Sequence, residues 1–270
     1  MIGMTSVKDQ LRKLDAWAWR QQELRERGVD VEAPSLHMSF AGNPGTGKTT
    51  VAKVVGRLLH RYGLIEREEV LEKGRADLVG RYIGHTADQT KKAIEEAIGG
   101  VLFIDEAYAL SEPGKGASQD YGGEALAVLV AEMENRRHEL CVIVAGYPAE
   151  MNGFLDANAG LASRISRRIE FPDFTDDELC QVFEAMIQAQ SLSRDDAILP
   201  LLRRYAQRAR SSLPARRWGN ARSIRNILEA AIENQALRLR TRRDSTGKDE
   251  LLRLTVADFA FLKQENVAVY

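Results

Sequence analysis

Gly42-Asn43-Pro44-Gly45-Thr46-Gly47-Lys48-Thr49 decides the reading of this chain, because it fits G-x-x-x-x-G-K-[ST], the phosphate-binding P-loop. Its surroundings fit as well. Residues 36–41 form a short apolar run with strand character, and residues 51–59 have helical spacing. Strand, glycine loop and helix in that order let backbone N–H groups approach phosphate with no Cβ in the way, while the positive end of the helix faces the charge. Lys48 is then expected to reach the β- and γ-phosphates, and the Thr49 hydroxyl to ligate Mg²⁺. Asn43, Pro44, Gly45, Thr46, Gly47 and Thr50 complete the expected nucleotide-binding set.

Bulk properties narrow the class. The chain has 270 residues and a formal net charge of −1, enough for one large domain and a small one. Near-neutral charge argues against non-specific nucleic-acid binding as the main task. The Arg-rich stretch 203–243 is an exception, and Arg216, Arg217, Arg222 and Arg225 could make a local basic face; a solvated helical surface with one or two nucleotide contacts is the plainer account. Two cysteines, Cys141 and Cys180, have no zinc or redox spacing and read as small buried hydrophobes. The four histidines show no H-E-x-x-H pattern, so the only metal expected is the nucleotide's Mg²⁺. Neither a signal peptide nor a membrane-spanning apolar run is apparent, which reads as a cytoplasmic protein.

Along the chain, residues 6–27 look like a charged amphipathic helix with Leu11, Leu14, Trp17 and Ala18 on its apolar face. A second strand is expected over 70–74 and a helix over 86–98, opened by a capping box at Thr86-Ala87-Asp88-Gln89. Residues 101–104 are a fully apolar strand, as in the middle of a parallel sheet. A helix over 123–137 and strands over 140–145 and 169–171 follow, and the alternation predicts a doubly wound α/β sheet. After Pro172 the period becomes helical. Thr175-Asp176-Asp177-Glu178 reads as a second capping box, and helices are expected over 176–190, 195–210, 220–241 and 256–265. The predicted organisation is a large α/β domain over 1–172 and a small α-helical lid over 173–270, with a mobile loop over 111–119.

The apolar strand 101–104 ends in two acids. Asp105 suits the Mg²⁺ shell, held through water, and Glu106 suits the orientation and deprotonation of an attacking water. Arg164, just ahead of the last strand, suits a cationic finger that reaches the γ-phosphate of a neighbouring subunit; Arg167 and Arg168 follow closely and could share or replace it, and a surface salt bridge is the bland alternative. Arg222, at the opening of the third lid helix, could touch the phosphates in cis and couple the lid to nucleotide state, with Arg225 one turn on as the alternative.

These four elements together resemble the AAA+ ATPases over nearly the whole chain. A closer resemblance, to the CbbX/CfxQ group, rests on Pro34-Ser35-Leu36-His37-Met38-Ser39-Phe40, Asp77-Leu78-Val79-Gly80-Arg81-Tyr82-Ile83-Gly84-His85-Thr86, Gly99-Gly100-Val101-Leu102-Phe103-Ile104-Asp105-Glu106-Ala107-Tyr108, Ala145-Gly146-Tyr147 and Asn220-Ala221-Arg222-Ser223-Ile224-Arg225-Asn226. That group includes red-type Rubisco activases, stage V sporulation protein K and the ATPase of type VII secretion systems. The resemblance implies ATP and Mg²⁺ as cofactors, a homo-hexameric ring and a protein substrate, with Tyr82 and Ile83 on a loop that projects into a central pore. Read by residue type alone, an aromatic packed under a loop is the better account of Tyr82, and the resemblance reverses that preference. The resemblance also places Ile2 and Gly3 beside the adenine. Most members of the group carry further residues before that point, so the chain reads as a trimmed form or one module of a larger protein. Two departures stand out: Ala145-Gly146-Tyr147, as in this group, stands where many AAA+ proteins have a polar residue, and Ala162 stands where activase-like sequences often have a second arginine. The expectation is an ATP-hydrolysing motor that remodels a protein; a nucleic-acid motor or loader, and a red-type Rubisco activase in particular, are the rival readings.

Overall fold

The computed structural model describes residues 1–29, 35–80, 84–111, 121–212, 217–240 and 247–263. The chain divides into two compact units, Thr5–Gly42 with Gly47–Phe171, and Met1–Met4 with Asn43–Thr46 and Pro172–Tyr270.

The larger unit is built on five parallel strands, β1 (Met38–Gly42), β2 (Val70–Lys73), β3 (Val101–Ile104), β4 (Cys141–Gly146) and β5 (Arg167–Phe171), in the order β2-β3-β4-β1-β5. Its helices are α1 (Thr5–Glu26), α2 (Lys48–Arg61), α3 (Arg75–Leu78), α4 (Thr86–Ala97), α5 (Tyr121–Asn135), α6 (Pro148–Ala157) and α7 (Ala159–Ala162). All four residues of β3 and all six of β4 are buried, which is why neither shows the in–out alternation of a half-solvated strand. On one face Leu102, Ile104, Val142 and Val144 pack with Ala93 and Ile94 of α4, Leu129 and Met133 of α5, and Phe154 of α6. On the other, Phe40 lies 6.5 Å from Phe103 and 5.0 Å from Phe171, ring centre to ring centre. Each fully buried Leu, Ile or Phe contributes about 1.5–3 kcal/mol, so these two layers dominate the unit's stability.

Two polar details fix the centre of this sheet. His37 is fully buried; its Nε2–H donates to the Met133 carbonyl at 2.9 Å, and its Nδ1 accepts the Val142 amide at 3.0 Å. Burial holds its pKa below the ordinary histidine value, so the ring is neutral. At the sheet edge the Arg167 guanidinium lies over the Trp17 ring, 4.6 Å from its centre, and binds α1 to β5.

The capping box expected at Thr86 is not formed. Thr86 is already inside α4, His85 is the residue before it, and the Thr86 hydroxyl accepts the Gly80 amide at 3.2 Å instead. A nearby backbone donor outcompeted the local cap.

The smaller unit gathers α8 (Asp176–Ala189), α9 (Ile198–Ser212), α10 (Ala221–Arg240), α11 (Lys248–Leu251) and a 3₁₀ segment, Val256–Lys263, which is kinked at Phe259. The capping box at the start of α8 is formed: the Thr175 hydroxyl accepts the Glu178 amide at 3.2 Å, and the Glu178 carboxylate accepts the Thr175 amide at 2.7 Å. Phe183 and Phe259 meet edge to face in the core, with Leu202, Ile224 and Leu228 around them. Buried Asp258 receives both Nε and Nη2 of Arg238, at 2.8 and 3.0 Å, together with the Thr255 amide and hydroxyl. Two short strands, β6 (Ser193–Arg194) and β7 (Arg253–Leu254), pair in parallel. Sequence reasoning missed them, because two-residue strands carry no period.

Candidate functional site

The P-loop forms at the end of β1. Gly45 and Gly47 both have positive φ, +68° and +91°, which a side chain would strain. Gly47 precedes α2 and makes no side-chain cap, and the first turn of that helix holds no acid, so no carboxylate of its own offsets the positive end of the helix dipole. Lys48 folds back across the loop, its Nζ donating to the Gly42 carbonyl at 2.7 Å. Thr49 is half-buried and Thr50 exposed. Positive-φ glycines, an uncapped helix start and a lysine over the loop fit a nucleoside triphosphate.

The acid pair stands at the same carboxyl end of the strands. β3 and β1 are parallel with β4 between them, so their carboxyl ends emerge together. The Asp105 amide donates to the Lys73 carbonyl at 3.0 Å, and its Oδ1 accepts the Glu106 amide at 3.1 Å. Glu106 is exposed and left-handed, with φ 51° and ψ 42°. A non-glycine residue in that region costs about 1–3 kcal/mol, the strain that collects at functional turns. Tyr147 follows β4, between the two loops in strand order. It is half-buried, and its ring centre lies 6.1 Å from that of Tyr108.

The three arginines named as alternatives for the finger differ in surroundings. Arg164 is pinned to its own chain: Nε lies 3.1 Å from Glu134 Oε2, and Nη1 donates to the Gly160 carbonyl at 2.7 Å. Arg167 is engaged with Trp17 and half-buried, and burial lowers its pKa. Arg168 is exposed on β5.

In the smaller unit, Ile2 and Met4 pack against the core around Phe183. Gly3 has φ +56°, and a Cβ there would fall 2.0 Å from Glu178 Oε1, so the N-terminal segment lies directly on the start of α8. Arg222 is exposed in the first turn of α10, and Arg225 is exposed one turn on. The P-loop tip belongs to this unit. Thr46 is buried and its hydroxyl donates to the Asn43 carbonyl at 2.8 Å. Asn43 Nδ2 donates to both carboxylate oxygens of Asp173, at 3.0 and 3.1 Å. Tyr82 and Ile83 lie outside the described residues.

Residues 38–173 match the family described as "ATPase family associated with various cellular activities (AAA)", and residues 175–268 match the AAA lid domain. The chain belongs to the AAA ATPase family. As a member it binds nucleotide and hydrolyses ATP. This AAA ATPase is 38% identical to stage V sporulation protein K of Bacillus subtilis over 98% of its own length and 81% of the relative's. It is 45% identical to protein CbbX of Cereibacter sphaeroides over 89% and 76%. Against the chloroplastic ribulose bisphosphate carboxylase/oxygenase activase of Cyanidioschyzon merolae the identity is 42%, over 88% and 80%. A solved structure with the same fold, the FIGL-1 AAA domain in complex with ADP, superposes with a TM-score of 0.63 at 17% identity, covering 97% of this chain and 81% of that one. Among the described residues the AAA ATPase has no group of three or more His, Cys, Asp and Glu placed to hold a metal by themselves. None of its described helices is long and apolar enough to cross a membrane.

Sequence reasoning did not single out Asp173 or Asn220 as part of this AAA ATPase's P-loop surroundings. Gly219-Asn220 reads as a break before a helix and Asn220 as the first residue of a motif shared with the CbbX/CfxQ group, but nothing local marks the partner of Asn220 that lies 176 residues away.

Proposed function

We propose that this AAA ATPase is a remodelling motor that assembles as a hexameric ring and uses ATP hydrolysis to pull on a protein substrate. The observation that carries hydrolysis is the Asp105-Glu106 pair at the carboxyl end of β3, across β4 from the end of β1 where the P-loop begins. Lys48, the amides of residues 45–49 and Arg222 would hold the phosphates, and Ile2 and Gly3 the adenine. Thr49 and Asp105, the latter through water, would hold Mg²⁺, which supplies charge neutralisation at the phosphates when bound. Glu106 orients the attacking water and takes its proton. Arg164 completes the site of the adjacent subunit, and leaves Glu134 to do so. Protein remodelling is supported by the relatives: one of them is named an activase of ribulose bisphosphate carboxylase/oxygenase. Tyr82 and Ile83 are the proposed grip on the substrate, and the inactive form of that carboxylase is the first substrate to try.

The test mixes two dead variants. Glu106→Gln subunits keep the finger and Arg164→Ala subunits keep the base, so mixed rings regain interfaces with both. Phosphate release from the mixture above the sum of the separate variants supports the finger acting in trans; additive loss with no recovery overturns it. Release measured per subunit across dilution tests the ring, because a rate that is constant down to monomer contradicts a shared site.

A further inference from the structure

Asn220 stands immediately before α10 with its side chain fully buried and φ at 46°, a left-handed conformation that asparagine tolerates better than most residues. Its carboxamide is fully used. Oδ1 accepts the Phe174 amide at 3.1 Å, and Nδ2 donates to the Pro44 carbonyl at 3.2 Å and to Asp173 Oδ1 at 2.8 Å. The next residue adds a second bond of the same kind, because the Ala221 amide donates to the Gly45 carbonyl at 3.3 Å. Two successive P-loop carbonyls therefore face the first turn of α10, within one compact unit. The backbones are in contact there: a Cβ on Gly45 would fall 2.0 Å from the Gly219 carbonyl oxygen.

A trans peptide is planar, so its N–H points opposite to its C=O. The chain has no cis peptide bond among the described residues. Pinning the Pro44 carbonyl thus turns the Gly45 N–H to the other side of the loop, and pinning the Gly45 carbonyl does the same for the Thr46 N–H. Outward amides are the groups by which such a loop holds phosphate. Asp173 keeps the donor of Asn220 in place and also receives Asn43, so it anchors the loop tip at its first residue directly and at its second, Pro44, through Asn220.

We propose that Asn220 is a positioning residue for nucleotide binding, whose carboxamide sets the peptide planes of Pro44 and Gly45 so that the following amides face the phosphates. The inference rests on the P-loop as nucleotide site and adds to it a determinant with no contact to the ligand. It makes a specific demand: loss of the carboxamide weakens ligands through their phosphates and not through their base.

The experiment uses the full chain and compares ATPγS with adenosine, the latter by competition. Asn220→Gly keeps the left-handed backbone at no steric cost and removes the carboxamide. Asn220→Asp keeps the acceptor for Phe174 and replaces the donor, which serves if the glycine variant does not fold. Expected is a dissociation constant for ATPγS raised ~3–10-fold by the glycine change, the usual reach of one hydrogen bond, with adenosine changed less than about 2-fold. The aspartate variant loses more ATPγS affinity, since it sets a carboxylate against Asp173 and the Pro44 carbonyl. Equal weakening of both ligands, or of neither, overturns the proposal. Lys48→Ala separates its failure from that of the P-loop reading: if that variant binds ATPγS as the wild type does, the site itself is wrong, and the proposal falls with it.

Discussion

His37 spans α5 and β4 with both ring nitrogens occupied, so a second proton has no place in the folded state. Its pKa is lowered by burial, which means the unfolded chain binds more protons between that lowered value and the ordinary one of about 6.5. Stability is therefore level above about pH 6.5 and falls as pH drops below it, by at most about 1.4 kcal/mol per pH unit for this one group. Urea titrations at stepped pH test it: His37→Asn lowers stability throughout but flattens the decline from about pH 6.5 to 5. An unchanged slope would mean that other groups carry it. Glu106 bears the other residue-level forecast. Glu106→Gln keeps the turn and removes the base, so nucleotide binding persists while hydrolysis falls by at least ~10². Equilibrium ATPγS binding beside single-turnover phosphate release reads the two effects apart.

At the scale of elements, the strands were the most legible part of the chain. Residues 101–104 and 141–146 form runs without a polar interruption, and a strand buried on both faces has nowhere to hide a polar residue. Three of the four expected lid helices were legible for the opposite reason, a wide apolar stripe against charged faces; the stretch expected as a fourth over 256–265 is a 3₁₀ segment kinked at Phe259, and α11 was not anticipated. What could not be read were bonds made at a distance. Thr86 gave up its expected local cap for Gly80, and Asn220 is held by a loop far back in the chain. The P-loop and acid pair could be found by pattern because their chemistry is local in sequence; the surroundings that separate Arg164, Arg167 and Arg168 come only from the folded chain. Two forecasts belong here. Burial pushes the Cys141 thiol on β4 up to about 12, so alkylation at neutral pH, followed by mass spectrometry, leaves it unmodified until the unit unfolds. Labelling at the rate of a free thiol would show that β4 opens. In the lid, Asp258→Ala strips Arg238 and Thr255 of their shared acceptor and costs about 2–3 kcal/mol, visible as an earlier chemical-denaturation midpoint.

At the scale of the whole molecule, the chain is not cut into its two compact units at a single point. The P-loop tip, Asn43–Thr46, and the first four residues are grouped with the residues after Phe171. Protein emerges from the ribosome in one direction, and the earlier part of a chain generally folds first. Asn43 to Thr46 are therefore synthesised long before Asp173, Asn220 and Ala221 exist to hold them. A nascent or prematurely terminated chain carries the whole P-loop sequence but lacks the groups that aim its amides. Full phosphate affinity is on this account acquired only once residues 219–221 have been made, and a fragment that stops before them is expected to hold ATPγS several-fold more weakly.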